Sequence, residues 1–177
     1  VREQVFRESN KPRKALLLLN KALLDIPDDL DLLYARGLVS ASLGLIQEHE
    51  LDMRRLIKLQ PENAHAYNAL GYTLASQTER FPEALDLIIK ALELSPGDPF
   101  ILDSLGWVYY RLGDYSLSLQ YLKLAMKQQP DAEIAAHLGE VLWKLGNTEQ
   151  AVSVWSQGTI IDPDNVILID TLRNFGQ

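Results

Sequence analysis

The sequence predicts an all-α fold in which antiparallel helix pairs stack into a solenoid, and three observations support this prediction. Proline recurs at intervals of 33 to 35 residues, and a glycine column and a column of mostly small residues keep nearly the same intervals. Within each interval the apolar residues follow a helical period twice, which is typical of stacked repeat units. The columns are Pro27, Pro61, Pro96, Pro130 and Pro163; Gly37, Gly71, Gly106 and Gly139; and Ala22, Leu56, Ala91, Ala125 and Gly158.

Each unit is predicted to be a helix, a short turn and a second helix, as residues 99–131 illustrate. The apolar residues of the first helix are spaced i, i+3, i+4 and i+7, and Gly113-Asp114 then ends it. Asp98 is a suitable N-cap because a proline follows it at the first helical position, and Asn147 precedes another predicted helix. The two buried stripes are Leu102, Leu105, Gly106 and Tyr109, then Leu119, Leu122, Ala125 and Met126.

The columns divide the chain, taken as a single domain over residues 1–177, into successive repeats. A partial repeat is predicted at 1–29 and a closing helix at 166–177. Val5 and Phe6 of the partial repeat lack a neighbouring helix, so we expect a cut from a longer array and a homo-oligomer formed through this end. The full repeats are predicted at 30–63, 64–98, 99–131 and 132–165.

Composition excludes several classes of function. The chain has 17 Lys and Arg against 24 Asp and Glu, a net charge of −7, which disfavours binding to nucleic acid or to an anionic membrane surface. It has no cysteine, which excludes disulfides, thiolate nucleophiles and cysteine zinc sites. No apolar run approaches the roughly 20 residues of a membrane helix, so membrane contact is expected only through an N-terminal lipid anchor missing from this sequence.

The repeat columns resemble those of the tetratricopeptide repeat. The Leu-Gly pair of that family recurs at residues 70–71, 105–106 and 138–139. The resemblance implies a right-handed superhelical solenoid whose first helices line a concave groove. His49 and Leu56 stand where the family has small residues, so repeat 30–63 is expected to pack more loosely or at a different angle. The second-helix columns are Ala15, Ala84 and Ala151; Leu19, Met53, Ile88, Leu122 and Trp155; and Ala22, Ala91 and Ala125.

The sequence predicts no catalytic residue, no metal site and no cofactor. Of the three histidines, His49 lies between two glutamates, but adjacent helical residues point in different directions and cannot converge on one ion. His137 and Glu140 share a helix face, yet the sequence identifies no further ligand. Neither a glycine-rich phosphate loop nor a serine nucleophile elbow occurs. An enzyme is therefore the least favoured class.

A groove for partner proteins is predicted on the first helices, along the stripe opposite the buried one. Large aromatic rings and charged residues mix there, and aromatic and Arg side chains are the usual anchors of interfaces. Each ring has a second interpretation, namely packing against the neighbouring first helix. Acids outnumber bases on the stripe, so a segment with apolar anchors and some Lys or Arg would suit it. The predicted contact residues are Tyr34, His65, Asn68, Tyr72, Asp103, Trp107, Tyr110, Arg111, Glu140, Trp143 and Lys144.

Residues 102–113 and 135–143 resemble a subgroup of proteobacterial tetratricopeptide proteins. Some of that subgroup are outer-membrane lipoproteins that act as periplasmic adaptors, bringing a carboxyl-terminal processing protease together with cell-wall hydrolases. The resemblance implies a non-enzymatic adaptor or scaffold in the periplasm with protein partners of these kinds. The alternative function is a structural module in envelope or pilus assembly that acts through self-association, and the alternative location is the cytoplasm.

Overall fold

The structure, a computed structural model, describes residues 11–177, and this range contains ten α-helices and no strand. The predicted all-α class is therefore confirmed, and consecutive helices pack as pairs. Val5 and Phe6, the residues expected to mediate self-association, lie outside the described residues.

The chain divides into two compact units between Leu94 and Ser95, and each unit is described by itself. The helices of the first unit are α1 (Pro12–Asp25), α2 (Leu30–Ser42), α3 (Ile46–Leu59), α4 (Ala64–Gln77) and α5 (Phe81–Leu94). The helices of the second unit are α6 (Pro99–Leu112), α7 (Tyr115–Gln128), α8 (Ala132–Lys144), α9 (Thr148–Ile161) and α10 (Val166–Asn174). Helices α2, α4, α6, α8 and α10 begin at the residues where the four full repeats and the closing helix are predicted to begin.

An Asp or Asn caps the start of each of these five helices. Its side-chain oxygen accepts a hydrogen bond from a backbone N–H of the first turn, which satisfies a donor that has no partner inside the helix. Asp98 caps α6 as predicted, whereas Asn147 precedes α9 without such a side-chain bond. The five caps are Asp29, Asn63, Asp98, Asp131 and Asn165.

The glycine column lies where the two helices of a repeat approach each other. A Cβ atom on Gly71 would overlap Ile88, and one on Gly106 would overlap Leu122. The residues opposite these glycines are fully buried, so the absence of a side chain at the glycine is what lets the helices pack. The predicted packing role of the column follows directly from these contacts.

His49 fills the position where looser packing is expected. Its ring is fully buried, with Nδ1 2.9 Å from the carbonyl oxygen of Gly37 and Nε2 3.2 Å from that of Ala69. Met53 and Leu56 on the same helix are also fully buried. The ring nitrogens thus lie within hydrogen-bond distance of carbonyl oxygens on α2 and α4, and the helices pack closely around the His49 ring.

No helix within residues 11–177 combines the length and the apolar character that crossing a bilayer requires.

Candidate functional site

In the second unit, α6 and α8 bring most of the predicted contact residues of that unit together. Asp103, Trp107 and Tyr110 project from α6, and Glu140 projects from α8. Side chains of both helices meet at His137, which lies on α8 one turn before Glu140. We call this set, Asp103, Trp107, Tyr110, His137 and Glu140, the α6–α8 cluster.

A buried ion pair lies at the base of the α6–α8 cluster. Nδ1 of His137 donates to both carboxylate oxygens of Asp103, at 2.9 and 3.0 Å, and both residues are less than 5% exposed. Burial lowers the pKa of His137, but the charge and hydrogen bond of Asp103, together with the charges of Glu133 and Glu140, raise it above 6.5 overall. Asp103 is therefore not the surface contact residue that was predicted, because its carboxylate is engaged inside the protein.

Stacked rings extend from this ion pair. The indole of Trp107 stacks on the imidazole of His137, with ring centroids 4.3 Å apart, and on the phenol ring of Tyr110 at 5.0 Å. Tyr110 in turn contacts the ring of Tyr115 at 5.6 Å. Trp107 and Tyr110 are both half-buried, so each ring packs internally and also presents surface. The same two side chains therefore pack against neighbouring rings and also have exposed surface that a partner could contact.

Glu140 lies beside the stacked rings and bonds to the hydroxyl of Tyr110. Burial raises the pKa of the Glu140 carboxyl, against the opposing effects of His137, the Tyr110 hydrogen bond, Lys144 and Arg111. Burial and the Glu140 charge raise the pKa of Tyr110 as well. Arg111 is half-buried and Lys144 is exposed, so both cations contribute to the potential at this face.

Among residues 11–177, Asp103, Glu133 and His137 form a group of potential metal ligands, with one ligand atom from each within 4.8 Å of the others. Sequence spacing did not reveal this group, because Asp103 lies in the preceding repeat. The His137 Nδ1 proton already lies between the ring and both oxygens of Asp103, which is the geometry of an ion pair. We therefore assign no metal to it.

Trp143 packs away from the α6–α8 cluster. Its ring lies 5.6 Å from the rings of both Trp155 on α9 and Phe175 after α10, and those two rings are 5.2 Å apart. Trp155 is 1% exposed and its Nε1 donates to the carbonyl of Ala136. Trp143 was predicted to line the groove, and in the structure its ring packs against Trp155 and Phe175.

In the first unit, the predicted residues differ in exposure. His65 is exposed, while Tyr34, Asn68 and Tyr72 are half-buried. Burial raises the pKa of Tyr34. The Oδ1 atom of Asn68 is buried and receives no hydrogen bond from the residues that the structure describes. A buried acceptor without a donor is unusual in a folded protein.

A second ion pair, in the first unit and partly buried, was not predicted. Arg36 donates to both oxygens of Asp52, from Nη2 at 2.6 Å and from Nε at 2.8 Å, and a third bond reaches Asn20 at 3.0 Å. The Asp52 side chain is 4% exposed, and its hydrogen bonds and charge raise the pKa of Arg36 against the effect of burial. The sequence signal was Arg36 itself, which stands in place of the Leu of the Leu-Gly pair.

The sequence profile of the tetratricopeptide repeat matches residues 51–99 and 104–165. The chain belongs to the tetratricopeptide repeat family. Repeats of this family are protein-interaction modules, so the fold supports a role in binding other proteins.

Three known proteins illustrate the relationship. A TPR repeat-containing protein of Pseudomonas aeruginosa is 42% identical over 140 residues, which are 79% of this chain and 24% of that protein. A lipoprotein NlpI homolog of Haemophilus influenzae is 28% identical over 73% of this chain and 39% of its own length. The crystal structure of a thermophilic TPR protein of Thermus thermophilus has a TM-score of 0.83 and 22% identity, covering 97% of this chain and 94% of that one. The chain thus spans about a quarter of the length of the Pseudomonas relative.

Proposed function

We propose that the chain is a non-enzymatic adaptor that binds protein segments, with Trp107 and Tyr110 as its main anchors. The observation that carries this proposal is the half-buried stack of these two rings beside the buried Asp103–His137 pair. A large ring that is already held in place loses little side-chain entropy when a partner packs on it. Rings of this type contribute most of the binding energy at many interfaces.

The charges around the stack favour a partner segment that carries Lys or Arg next to an apolar side chain. Asp103 is neutralised by His137, and the carboxylates of Glu133 and Glu140 lie on the same face of α8. Glu140 is in a partly desolvated position, where a partner cation gains more than it would in water. Arg111 and Lys144 beside them would orient an acidic group of the same segment.

The first unit supplies a second contact region in this proposal. Tyr34 and Tyr72 offer half-buried rings, and His65 is accessible. The half-buried side chain of Asn68 adds an amide group to this region.

The likeness to periplasmic lipoproteins supports a more specific assignment. In it, the adaptor sits in the periplasm, held at the outer membrane by a lipid anchor on the longer protein, and brings a carboxyl-terminal processing protease to cell-wall hydrolases. Two observations support this assignment. Residues 102–113 and 135–143 resemble that subgroup of tetratricopeptide proteins, and one relative is named a lipoprotein.

Capture from a bacterial envelope extract tests the proposal. The immobilised chain is compared with a Trp107→Ala/Arg111→Ala variant and with Tyr109→Ala, a matched control whose ring stacks on Tyr121 at 5.7 Å. We expect a protease or hydrolase that is retained by the wild type and by Tyr109→Ala and lost by the double variant. Equal retention by all three chains would exclude Trp107 and Arg111 as anchors.

A second candidate function, assembly through self-association, is favoured by the apolar surface at the end of the second unit. Ile160 is 83% exposed and Val166 is 69% exposed, and Ile169 lies one turn after Val166. Burying such residues against a second copy would remove apolar area from water. Light scattering of the wild type and of Val166→Asp tests this: a dimer that the substitution dissociates supports assembly, and a monomer at all concentrations rejects it.

A further inference from the structure

The position of Trp107 depends on residues that a partner cannot reach. Its indole stacks on His137, and the His137 ring is itself held by two hydrogen-bond distances to the Asp103 carboxylate. His137 is 2% exposed and Asp103 is 4% exposed, whereas Trp107 is half-buried. Asp103 and His137 therefore both lie inside the protein, and Trp107 lies between them and the surface.

The electrostatics favour a charged His137 ring against the indole. The carboxylates that raise the pKa of His137 are Asp103 from α6 and Glu133 and Glu140 from α8. A cation in contact with the face of an indole is attracted by the ring quadrupole, and burial strengthens this attraction. The charged residues of the other helices packed on α8 are all exposed, and they are Lys123 and Lys127 of α7, Glu149 of α9, and Asp170 and Arg173 of α10.

The fold itself does not require this ion pair. At the junction of repeats 30–63 and 64–98, the positions equivalent to Asp103 and His137 are occupied by Tyr34 and Ala69. Where α8 meets α10, the equivalent positions are Ala136 and Thr171. Neighbouring first helices therefore pack at both junctions without a carboxylate–imidazole pair. A buried ion pair is also expensive to desolvate and often adds little stability over an apolar pair.

We propose that Asp103 and His137 are positioning residues of the partner-binding face, which hold the Trp107 ring in the orientation that a partner segment meets. This inference rests on the proposed function in one respect, because it takes Trp107 as a partner anchor. The positioning itself is a property of the free protein. Its test therefore needs no partner.

The experiment follows the indole N–H signals of the full chain labelled with ¹⁵N. The three tryptophan signals are assigned with Trp107→Phe and Trp143→Phe variants, which leaves the third to Trp155. The test variant is Asp103→Leu/His137→Leu, which replaces the pair by apolar residues of similar volume. The matched control is Tyr109→Leu, which removes a stacked ring of the same helix on the side that contacts Tyr121 of α7.

We expect the double variant to shift the Trp107 signal and to lower its ¹H–¹⁵N NOE, while the Trp155 signal and the helix content stay as in the wild type. Tyr109→Leu should leave the Trp107 NOE unchanged. An unchanged Trp107 NOE in the double variant would overturn the proposal. If the double variant does not fold, Asp103→Ala takes its place, since it removes the acceptor for Nδ1 and leaves the His137 ring against the indole, and the same criterion applies.

The outcome is separate from that of the capture experiment. If the Trp107 ring loosens but the wild type captures no partner, the positioning role holds and the adaptor function fails. If a partner is captured and Trp107 stays rigid in the variant, the adaptor function holds and the positioning role fails.

Discussion

The indole of Trp107 and the imidazole of His137 stack with their centroids 4.3 Å apart, although the two residues belong to successive repeats. This contact joins a surface ring to a buried ion pair, so a change in either residue is transmitted to the other. Binding and stability therefore have to be measured together for substitutions in the α6–α8 cluster.

Trp107→Ala combined with Arg111→Ala should weaken binding of the captured partner at least tenfold, which corresponds to about 1.4 kcal/mol. Trp107 is half-buried, so its truncation should cost less than the about 3–5 kcal/mol of a core aromatic, and helicity and most thermal stability should remain. Calorimetric titration and circular dichroism measure the two effects. A variant that unfolds, or that binds normally, would assign these residues to packing alone.

Stability should fall with rising pH through the Asp103–His137 pair. The pKa of His137 is raised above 6.5 in the folded chain, so the protonated form is favoured by folding. The stabilisation is therefore complete below about pH 6.5 and is lost as the pH rises through the folded pKa. Thermal midpoints measured between about pH 6 and pH 9 should decline for the wild type relative to Asp103→Leu/His137→Leu. Parallel curves for the two proteins would contradict this assignment.

Removing divalent metal should leave the thermal midpoint unchanged. The Nδ1 proton of His137 is shared with Asp103, and a metal ion would have to displace it from a ring whose pKa is raised. Differential scanning calorimetry with a chelator and with added Zn²⁺ measures this. A reproducible loss of stability on chelation, or a gain with Zn²⁺ that Glu133→Gln abolishes, would show a metal at the Asp103–Glu133–His137 group instead.

Much of the fold could be predicted because the same pattern of proline, glycine and small residues recurs in every repeat and marks the same positions each time. The proline and glycine columns give the starts of α2, α4, α6, α8 and α10, and the caps give a physical reason for each start. What a column does not give is how far a first helix is rotated relative to the next one. That rotation decides whether a stripe residue faces solvent or its neighbour, so Trp107 and Trp143, both assigned to one stripe, have different surroundings.

The candidate site could be predicted only in part for the same reason. Asp103 and His137 are 34 residues apart, one repeat length, yet they do not occupy equivalent positions in their repeats. A comparison of equivalent positions places Asp103 in the groove and considers His137 only together with Glu140, so Asp103 and His137 are not paired. Pairs offset by one residue between adjacent repeats are the signal that would have found this contact.

Acid should weaken the first unit through a four-residue ion network between α3 and the start of α5. The hydrogen bond from Arg80, together with Arg54, lowers the pKa of Glu50 to about 2, although partial burial opposes this. Since the folded pKa lies below the usual value of 4.5, the stabilisation is present above pH 4.5 and is lost as the pH falls towards 2. Glu83 completes the network by bonding to both arginines.

Denaturant midpoints from about pH 2 to pH 5 measure this effect, with Glu50→Gln as the test variant. Its pH dependence should be flatter than that of the wild type by an amount near the upper end of surface pairs, about 1 kcal/mol. Glu93→Gln is the control, because Glu93 forms a single exposed pair with Lys90 at 2.9 Å. A control as flat as the test variant would show that the network adds nothing beyond isolated pairs.

Gly139→Ala should destabilise the second unit far more than Gly37→Ala destabilises the first. A Cβ atom at either position overlaps the residue opposite, Trp155 or Met53, in the second helix of the same repeat. At Gly37 the overlapping atom is the terminal methyl of Met53, which can rotate away, and the gain in helix propensity of about 1 kcal/mol offsets the adjustment. At Gly139 the overlap is with the indole ring of Trp155, which is 1% exposed and bonded through Nε1 to the Ala136 carbonyl.

The Trp155 ring cannot withdraw without breaking that hydrogen bond, so we expect Gly139→Ala to lower the free energy of unfolding by about 1–3 kcal/mol. Chemical denaturation measures this loss. Equal denaturation midpoints for Gly139→Ala and Gly37→Ala would show that the indole moves freely.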